Sequence, residues 1–217
     1  AAECIEVRGE GASGEIRIDS VDVPRLPEHK RAGLLGRVFQ DPMMGTAATM
    51  QIEENLALAA RRGKSRGLSW GITKAERAGY IEHLKILGLG LEDKLDVKMG
   101  ALSGGQRQAL TLLMATLKKP RLLLLDEHTA ALDPGTAEKV LRITREVVAE
   151  HRITTLMVTH NMHQALELGN RTLMMDSGNI ILDVRGEERS GLTVSGLLER
   201  FRAGAGKNLD NDRILLS

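Results

Sequence analysis

Leu122-Leu123-Leu124-Leu125 runs straight into Asp126-Glu127, and this stretch constrains the fold more than any other. Four consecutive leucines are too few for a lone helix and apolar on both faces, which predicts a central parallel strand covered by helices on both sides. Such a strand needs a crossover. A helical stretch from about Thr136 to Glu150 supplies it and leads to Thr154-Thr155-Leu156-Met157-Val158, a second buried strand ending at Thr159-His160. Strand, helix, strand is a βαβ unit, and open α/β sheets bind ligands at the carboxyl ends of their strands. Asp126-Glu127 and His160 both fall at such ends. Aromatic residues make up only 2% of the chain, so Leu, Ile, Val, Met and Ala have to build the core, as suits helix-on-sheet packing.

Leu102-Ser103-Gly104-Gly105-Gln106 stands ahead of the leucine run. Ser103 occupies the N-cap position of a helix whose Leu110, Leu113, Met114 and Leu117 face one way, and Lys118-Lys119-Pro120 closes it with cations and a breaker. Two glycines at the head of a helix offer backbone N–H groups and a serine hydroxyl to an anion, while a carboxylate pair at a strand mouth offers metal and water chemistry. Together they point to a nucleoside triphosphate site. The loop that grips such phosphates, G-x-x-x-x-G-K-[ST], occurs nowhere in the 217 residues. Gly63-Lys64-Ser65 and Gly206-Lys207-Asn208 come nearest, but the first glycine is replaced by Leu58 or Phe201, and Asn208 takes the place of the hydroxyl residue.

Elsewhere the elements are short. Residues 1–12 show no period and no clear element, Glu15 to Asp19 alternates as a half-buried strand, and Leu34 to Phe39 is a second apolar segment stopped by Gln40-Asp41-Pro42. Thr49 to Arg62 reads as a helix starting near Thr49 or Met50, with acids in its first turn. A basic loop follows, and Thr73-Lys74-Ala75-Glu76 then has capping-box spacing ahead of Tyr80, Ile81, Leu84 and Leu87 at helical intervals. Thr172 to Met175 predicts a strand that turns at Ser177-Gly178-Asn179 into Ile180 to Val184, and a last helix near Val194 to Arg202 precedes a polar tail.

Composition removes several classes. Thirty Lys plus Arg against 29 Asp plus Glu leaves no electrostatic footprint for nucleic acid. Cys4 is alone, which excludes an internal disulfide framework. No apolar run is long enough to cross a bilayer, so membrane contact is expected to go through a partner.

Five residues gain weight from position. Asp126 can hold Mg²⁺ and Glu127 can polarise an attacking water, although such a pair alone is equally consistent with a solvated strand end. His160 can hydrogen-bond a terminal phosphate, whereas His29, His83, His151 and His163 have no such placement. Gln40, on a connection after a short strand, can reach a metal or water through its carbonyl oxygen, or be merely solvated. Asp133, in Ala131-Leu132-Asp133-Pro134, suffices as the N-cap of the next helix.

The order VFQDP, LSGGQRQ, LLLLDE, AALD, VTH resembles the ATPase subunit of ABC transporters, with its Q-loop, signature, Walker B, D-loop and H-loop. The likeness runs from about Ser13 to the C-terminus. DPMMGTAATMQIEENLALA and the terminal DNDRILLS are more narrowly similar to a bacterial import group associated with amino acids or related small solutes. The resemblance implies an α/β, P-loop NTPase-like (RecA-like) core of mostly parallel strands with an inserted helical subdomain, ATP and Mg²⁺ as ligands, and work as a head-to-tail homodimer. Asp126 would position Mg²⁺, Glu127 would be the catalytic base, His160 would contact the γ-phosphate, and Gln40 would sense Mg²⁺ and water. Ser103, Gly104, Gly105 and Gln106, with Asp133 of the D-loop, would close over ATP held by the opposite subunit. The partners implied are transmembrane permease subunits and, indirectly, a solute-binding protein, at the cytoplasmic face of the bacterial inner membrane.

In that frame residues 1–217 are expected to be one incomplete ATPase domain. Residues 13–48 form a partial core with the Q-loop, 49–118 the helical subdomain with the signature, 119–185 the catalytic core, and 186–217 a C-terminal helix and tail. The N-terminal β-subdomain and the phosphate loop are missing from the pattern, so a truncated or frame-interrupted copy with impaired ATP binding is expected. An apolar edge exposed beside Leu122 to Leu125 is expected too. His128 stands where the family usually has proline. The alternative is a non-catalytic module that docks on a permease or on a complete subunit. DNA-repair and chromosome ATPases also carry a signature helix, but they need heptads or cysteine pairs that this chain lacks.

Overall fold

The computed structural model describes residues 5–10, 13–63, 71–176 and 178–205. It divides into two compact units, Ala1–Met157 and Val158–Ser217.

The first unit opens with an antiparallel sheet of β1 (Ile5–Glu10), β2 (Ser13–Ile18) and β3 (Val21–Asp22), in that order. Reading residues 1–12 as without structure is therefore corrected: Ile5 to Glu10 pairs along its whole length with Ser13 to Ile18, from Ile5 opposite Ile18 to Glu10 opposite Ser13. Helix α1 (Glu28–Leu34) then leads into β4 (Leu35–Val38). No residue of α1 is buried, so it has no apolar stripe that sequence could show.

The second sheet has the order β4-β5-β6, with β5 (Leu122–Asp126) in the middle and β6 (Thr154–Val158) at an edge. Strands β4 and β5 run parallel, with Leu35 opposite Leu122 and Val38 opposite Leu125. The leucine run is buried from both sides. Leu123 and Leu125 join the large core with helices α4 (Gly104–Thr116) and α5 (Pro134–His151), while Leu122 packs with Ile18 and Val23 in a smaller cluster that includes the partly buried Leu35 and Leu124. The expected exposed edge is accordingly misplaced: β5 is flanked on both sides, and the exposed apolar residues belong to β6, where Leu156 and Val158 are 50% and 52% exposed. Apolar content marked β6 as a strand but did not encode its rank in the sheet.

Helices α2 (Ile52–Ala60), α3 (Lys74–Leu87) and α4 (Gly104–Thr116) pack around Leu56, Leu84, Leu91 and Met99. Helix α2 starts later than its sequence suggests, because Gln51 forms the capping box with Glu54 and leaves Thr49 and Met50 outside. Buried Asn55 fixes the approach: its Oδ1 accepts from Ala47 N at 2.8 Å, and its Nδ2 donates to the carbonyls of Ala47 and Gln51. Thr73 and Glu76 form the expected capping box on α3. Arg77 ties the group together through Glu53 at 3.1 Å and Asp96 at 2.9 Å. Helix α5 (Pro134–His151) links β5 to β6.

The second unit holds α6 (Met162–Glu167), β7 (Arg171–Asp176), β8 (Asn179–Arg185), α7 (Gly186–Ser190) and α8 (Val194–Ala205). The expected hairpin forms: β7 and β8 pair antiparallel, with Gly178 at φ 81 in the turn. Ser177 lies outside the described residues, as do Lys64-Ser65 and the terminal tail. Arg189 donates to Leu166 O and Leu168 O at 2.7 Å and to Ala165 O at 3.3 Å, satisfying carbonyls that α6 leaves open at its end. Arg189→Met leaves Leu166 O and Leu168 O without this donor, while Ala165 O keeps the Thr172 hydroxyl at 2.8 Å, and is expected to lower unfolding stability by about 1–2 kcal/mol. Urea denaturation checks this, with Arg189→Lys expected to recover only part because it lacks the planar fork.

Candidate functional site

Parallel register brings three of the predicted residues to one place. Because Val38 lies opposite Leu125, Gln40 and the pair Asp126-Glu127 leave the carboxyl ends of neighbouring strands together. Gln40 is exposed, and Asp126 and Glu127 are partly buried. Asp126 Oδ2 lies 3.5 Å from Arg37 Nη2, and the Arg37 guanidinium stacks 4.4 Å over the Phe39 ring. Glu127 has φ 42, a left-handed backbone that a non-glycine residue adopts only under constraint. The constraint is the turn behind it, where Ala130 N donates to Glu127 O at 3.0 Å and Leu132 N to Thr129 O at 3.2 Å.

His128, inside that turn, is 2% exposed. Its Nε2 lies 3.1 Å from Thr144 Oγ1, and Thr144 spends its own proton on Val140 O at 2.8 Å. Nε2 must therefore be the donor, so the ring carries its proton there. Burial pushes the His128 pKa down to about 4.

A second group forms where α4 begins. Ser103 is the N-cap: its Oγ accepts from Gln106 N at 3.3 Å while Gln106 Oε1 accepts from Ser103 N at 3.2 Å. The amides of Gly104 and Gly105 thus head the helix, ahead of the first intrahelical bond from Arg107 N to Ser103 O. Arg107 braces the approach by donating to the carbonyls of Met99, Gly100 and Leu102. Asp133 caps α5, accepting from Thr136 N at 3.0 Å. Hydrogen bonds from Thr136, its hydroxyl first and then its amide, hold the Asp133 carboxyl below the usual carboxylate range. Leu132 touches the position where a Gly104 Cβ would stand, at 3.5 Å.

His160 follows β6 by two positions and lies exposed in the second unit. Next to it Thr159 Oγ1 accepts from Asn161 N at 3.1 Å, and Asn161 caps α6.

Sequence reasoning missed Gln108. This buried side chain donates from Nε2 to Phe39 O at 3.0 Å and so fastens the residue before Gln40 to the helix that starts at Ser103. Its signal was a polar residue on a face otherwise filled by Ala109, Leu112 and Leu113. Gln108→Met keeps the shape but leaves Phe39 O without its donor. It is expected to cost about 1 kcal/mol in thermal unfolding.

The donor set can be tested against Mg²⁺. Among the described residues no group of three or more His, Cys, Asp or Glu side chains could hold a metal ion. One carboxylate and one amide oxygen fit Mg²⁺ only in company with phosphate oxygens and water, which is how this ion is commonly bound at nucleotide sites.

A parallel sheet with acids at a strand mouth, together with a helix that opens on two glycines, defines an α/β nucleotide-handling cassette of the P-loop NTPase class. The chain belongs to the ABC transporter family, as an ATP-binding domain, since the family model described as ABC transporter matches residues 2–130. It is similar to the tyrosine transport ATP-binding protein of Clostridioides difficile, 46% identical over 191 residues that cover 88% of this chain and 75% of that protein. It is also similar to the methionine import ATP-binding protein MetN of Rhizobium etli, 34% identical over 181 residues that cover 82% of this chain and 47% of the relative. Among solved structures it resembles the ATP-binding cassette MJ0796 in a dimeric post-hydrolysis state bound to ADP and Pi. That match has a TM-score of 0.66 and 28% identity, and it covers 80% of this chain and 74% of that one. Among the described residues no helix is long and apolar enough to cross a membrane.

Proposed function

We propose that this chain is the ATPase subunit of an importer for an amino acid or related small solute, driven by ATP-dependent closure against a second ATPase subunit. The observation that carries the reading is the convergence of Gln40, Asp126 and Glu127 at the carboxyl ends of β4 and β5 in a chain with an unaltered LSGGQ. The amino-acid class is supported by the relatives named for tyrosine transport and methionine import.

In this reading Asp126 and Gln40 would hold Mg²⁺, which would supply neutralising charge to a bound triphosphate. Glu127 accepts the proton of the attacking water, and His160 donates a hydrogen bond to the γ-phosphate. Ser103 Oγ, which accepts within its cap, keeps its own proton to donate to a phosphate oxygen. The amides of Gly104 and Gly105 point to the same anion, with Gln106 and Asp133 at its border. That nucleotide has its phosphates gripped by the partner subunit. The helices between Gln40 and Ser103 meet transmembrane permease subunits, with a solute-binding protein on the far side. In this reading the chain works at the cytoplasmic face of the bacterial inner membrane.

The 217 residues contain no phosphate loop, so as a separate polypeptide they lack the lysine and amide cradle that neutralise a triphosphate. We assign them weak ATP binding and little hydrolysis on their own. A second reading is a non-catalytic module that docks on a permease or a complete subunit. ATP turnover of this chain, compared with a version extended upstream, separates the two. Turnover only in the extended form supports the catalytic reading, and none in either form supports the module. Brisk turnover by the 217 residues alone would overturn the assignment of the phosphate grip.

A further inference from the structure

We propose that Thr136 is a positioning residue that couples the signature turn to Asp133 within one chain: its methyl group seats Gly105, and its amide holds the aspartate. A Cβ built on Gly105 would overlap Thr136 Cγ2, far inside the distance of van der Waals contact, whereas Thr136 Cβ and Oγ1 stand at the ordinary separations of 3.4 and 3.8 Å. One methyl group therefore fills the space that Gly105 leaves open. Gly105 is buried, and its φ is not left-handed, so the glycine is required for close approach and not for backbone freedom. On its other side Thr136 N donates to Asp133 Oδ1 at 3.0 Å. Leu132 adds a lighter contact at Gly104. The first turn of α5 is thus the bed on which the first turn of α4 lies, and a tilt of one moves the other.

The inference rests on the ATPase reading for its meaning, since it makes the nucleotide-facing amides of Gly104 and Gly105 and the D-loop aspartate one rigid piece. Its test needs no nucleotide. A failed test therefore leaves the ATPase reading standing, and absent ATP turnover leaves the packing claim standing.

Gly105→Ala should gain helix propensity, yet overpacking against Thr136 is expected to lower the thermal midpoint by about 2–6 °C. Gly105→Ala combined with Thr136→Ser removes the clashing methyl and is expected to return the midpoint to within about 1 °C of the parent. In amide NMR spectra Gly105→Ala should shift the resonances of Asp133 to Thr136, and the second substitution should reverse the shift. Thr136→Ser alone should move the Gly104 and Gly105 amides while sparing Asp133. Thr136→Val, which keeps both the methyl and the amide, should leave the resonances of Gly104, Gly105 and Asp133 in place. These two single variants carry the test if Gly105→Ala fails to fold. A Gly105→Ala chain as stable as the parent, no rescue by serine, or Gly104 and Gly105 resonances indifferent to Thr136→Ser would each overturn the proposal.

Discussion

Gly104→Asp is expected to abolish ATP-dependent pairing of this chain with a complete ATPase subunit while leaving its own fold as stable as before, or slightly more so. The two effects have opposite signs for one reason. Gly104 is exposed at the first position of α4, and a side chain there meets only Leu132 Cδ2 at 3.5 Å, an ordinary contact. A carboxylate at a helix start is favourable to the fold, by about 0.3–1 kcal/mol, because it faces the positive end of the helix dipole. That dipole end is also what an ATP phosphate would use. Placing a fixed negative charge beside the phosphates sets like charges against each other across a closing interface, at a cost of several kcal/mol, so pairing is expected to weaken by ~10²-fold or more. Sedimentation velocity with Mg-ATP and a hydrolysis-blocked complete subunit reads the pairing, and thermal unfolding of the variant alone reads the fold. Undiminished pairing would show that Ser103–Gln106 does not face the nucleotide.

How much of this could be read from the chain depended on how local each feature is. The capping residues Thr73, Ser103 and Asp133 act within three positions of themselves, and each forms the cap its sequence announces. Four leucines bounded by Pro120 and Asp126 define a strand buried on both faces without reference to anything else. Strand rank is different, because β5 and β6 are both apolar and only the pairing of distant segments decides which is central. Strand β1 was missed for the same reason: its partner β2 stabilises it, and Ile5 to Glu10 carries no pattern of its own. At the candidate site the chemistry was legible and the supports were not. Asp126, Glu127 and Gln40 are chemically conspicuous. Gln108 on Phe39, 69 positions away, and Thr136 on Gly105 are ordinary residues whose roles come from packing between segments.

His128 is expected to make the fold acid-sensitive as pH falls from 6.5 towards 4. Its pKa is lowered to about 4 in the folded chain by burial, against 6.5 in the unfolded one. Above pH 6.5 the ring is neutral in both states and contributes no pH dependence. As pH falls below 6.5 the unfolded chain takes up a proton that the folded chain refuses, so stability drops, and the drop levels off only below pH 4. Because a unit of pKa shift corresponds to about 1.4 kcal/mol, the loss from this one group reaches about 2 kcal/mol at pH 5 and about 3 kcal/mol at pH 4. His128→Gln removes the titration while keeping an amide that can donate to Thr144 Oγ1, as Nε2 does now. The unfolding free energies of parent and variant, measured in urea with chelator present, should therefore differ by an amount that changes by about 3 kcal/mol between pH 7 and pH 4. A constant difference across that range would mean that the ring is protonated in the folded chain as easily as in water. In that case the turn behind Glu127 is open to solvent, and the hydrogen bond to Thr144 cannot be what holds it.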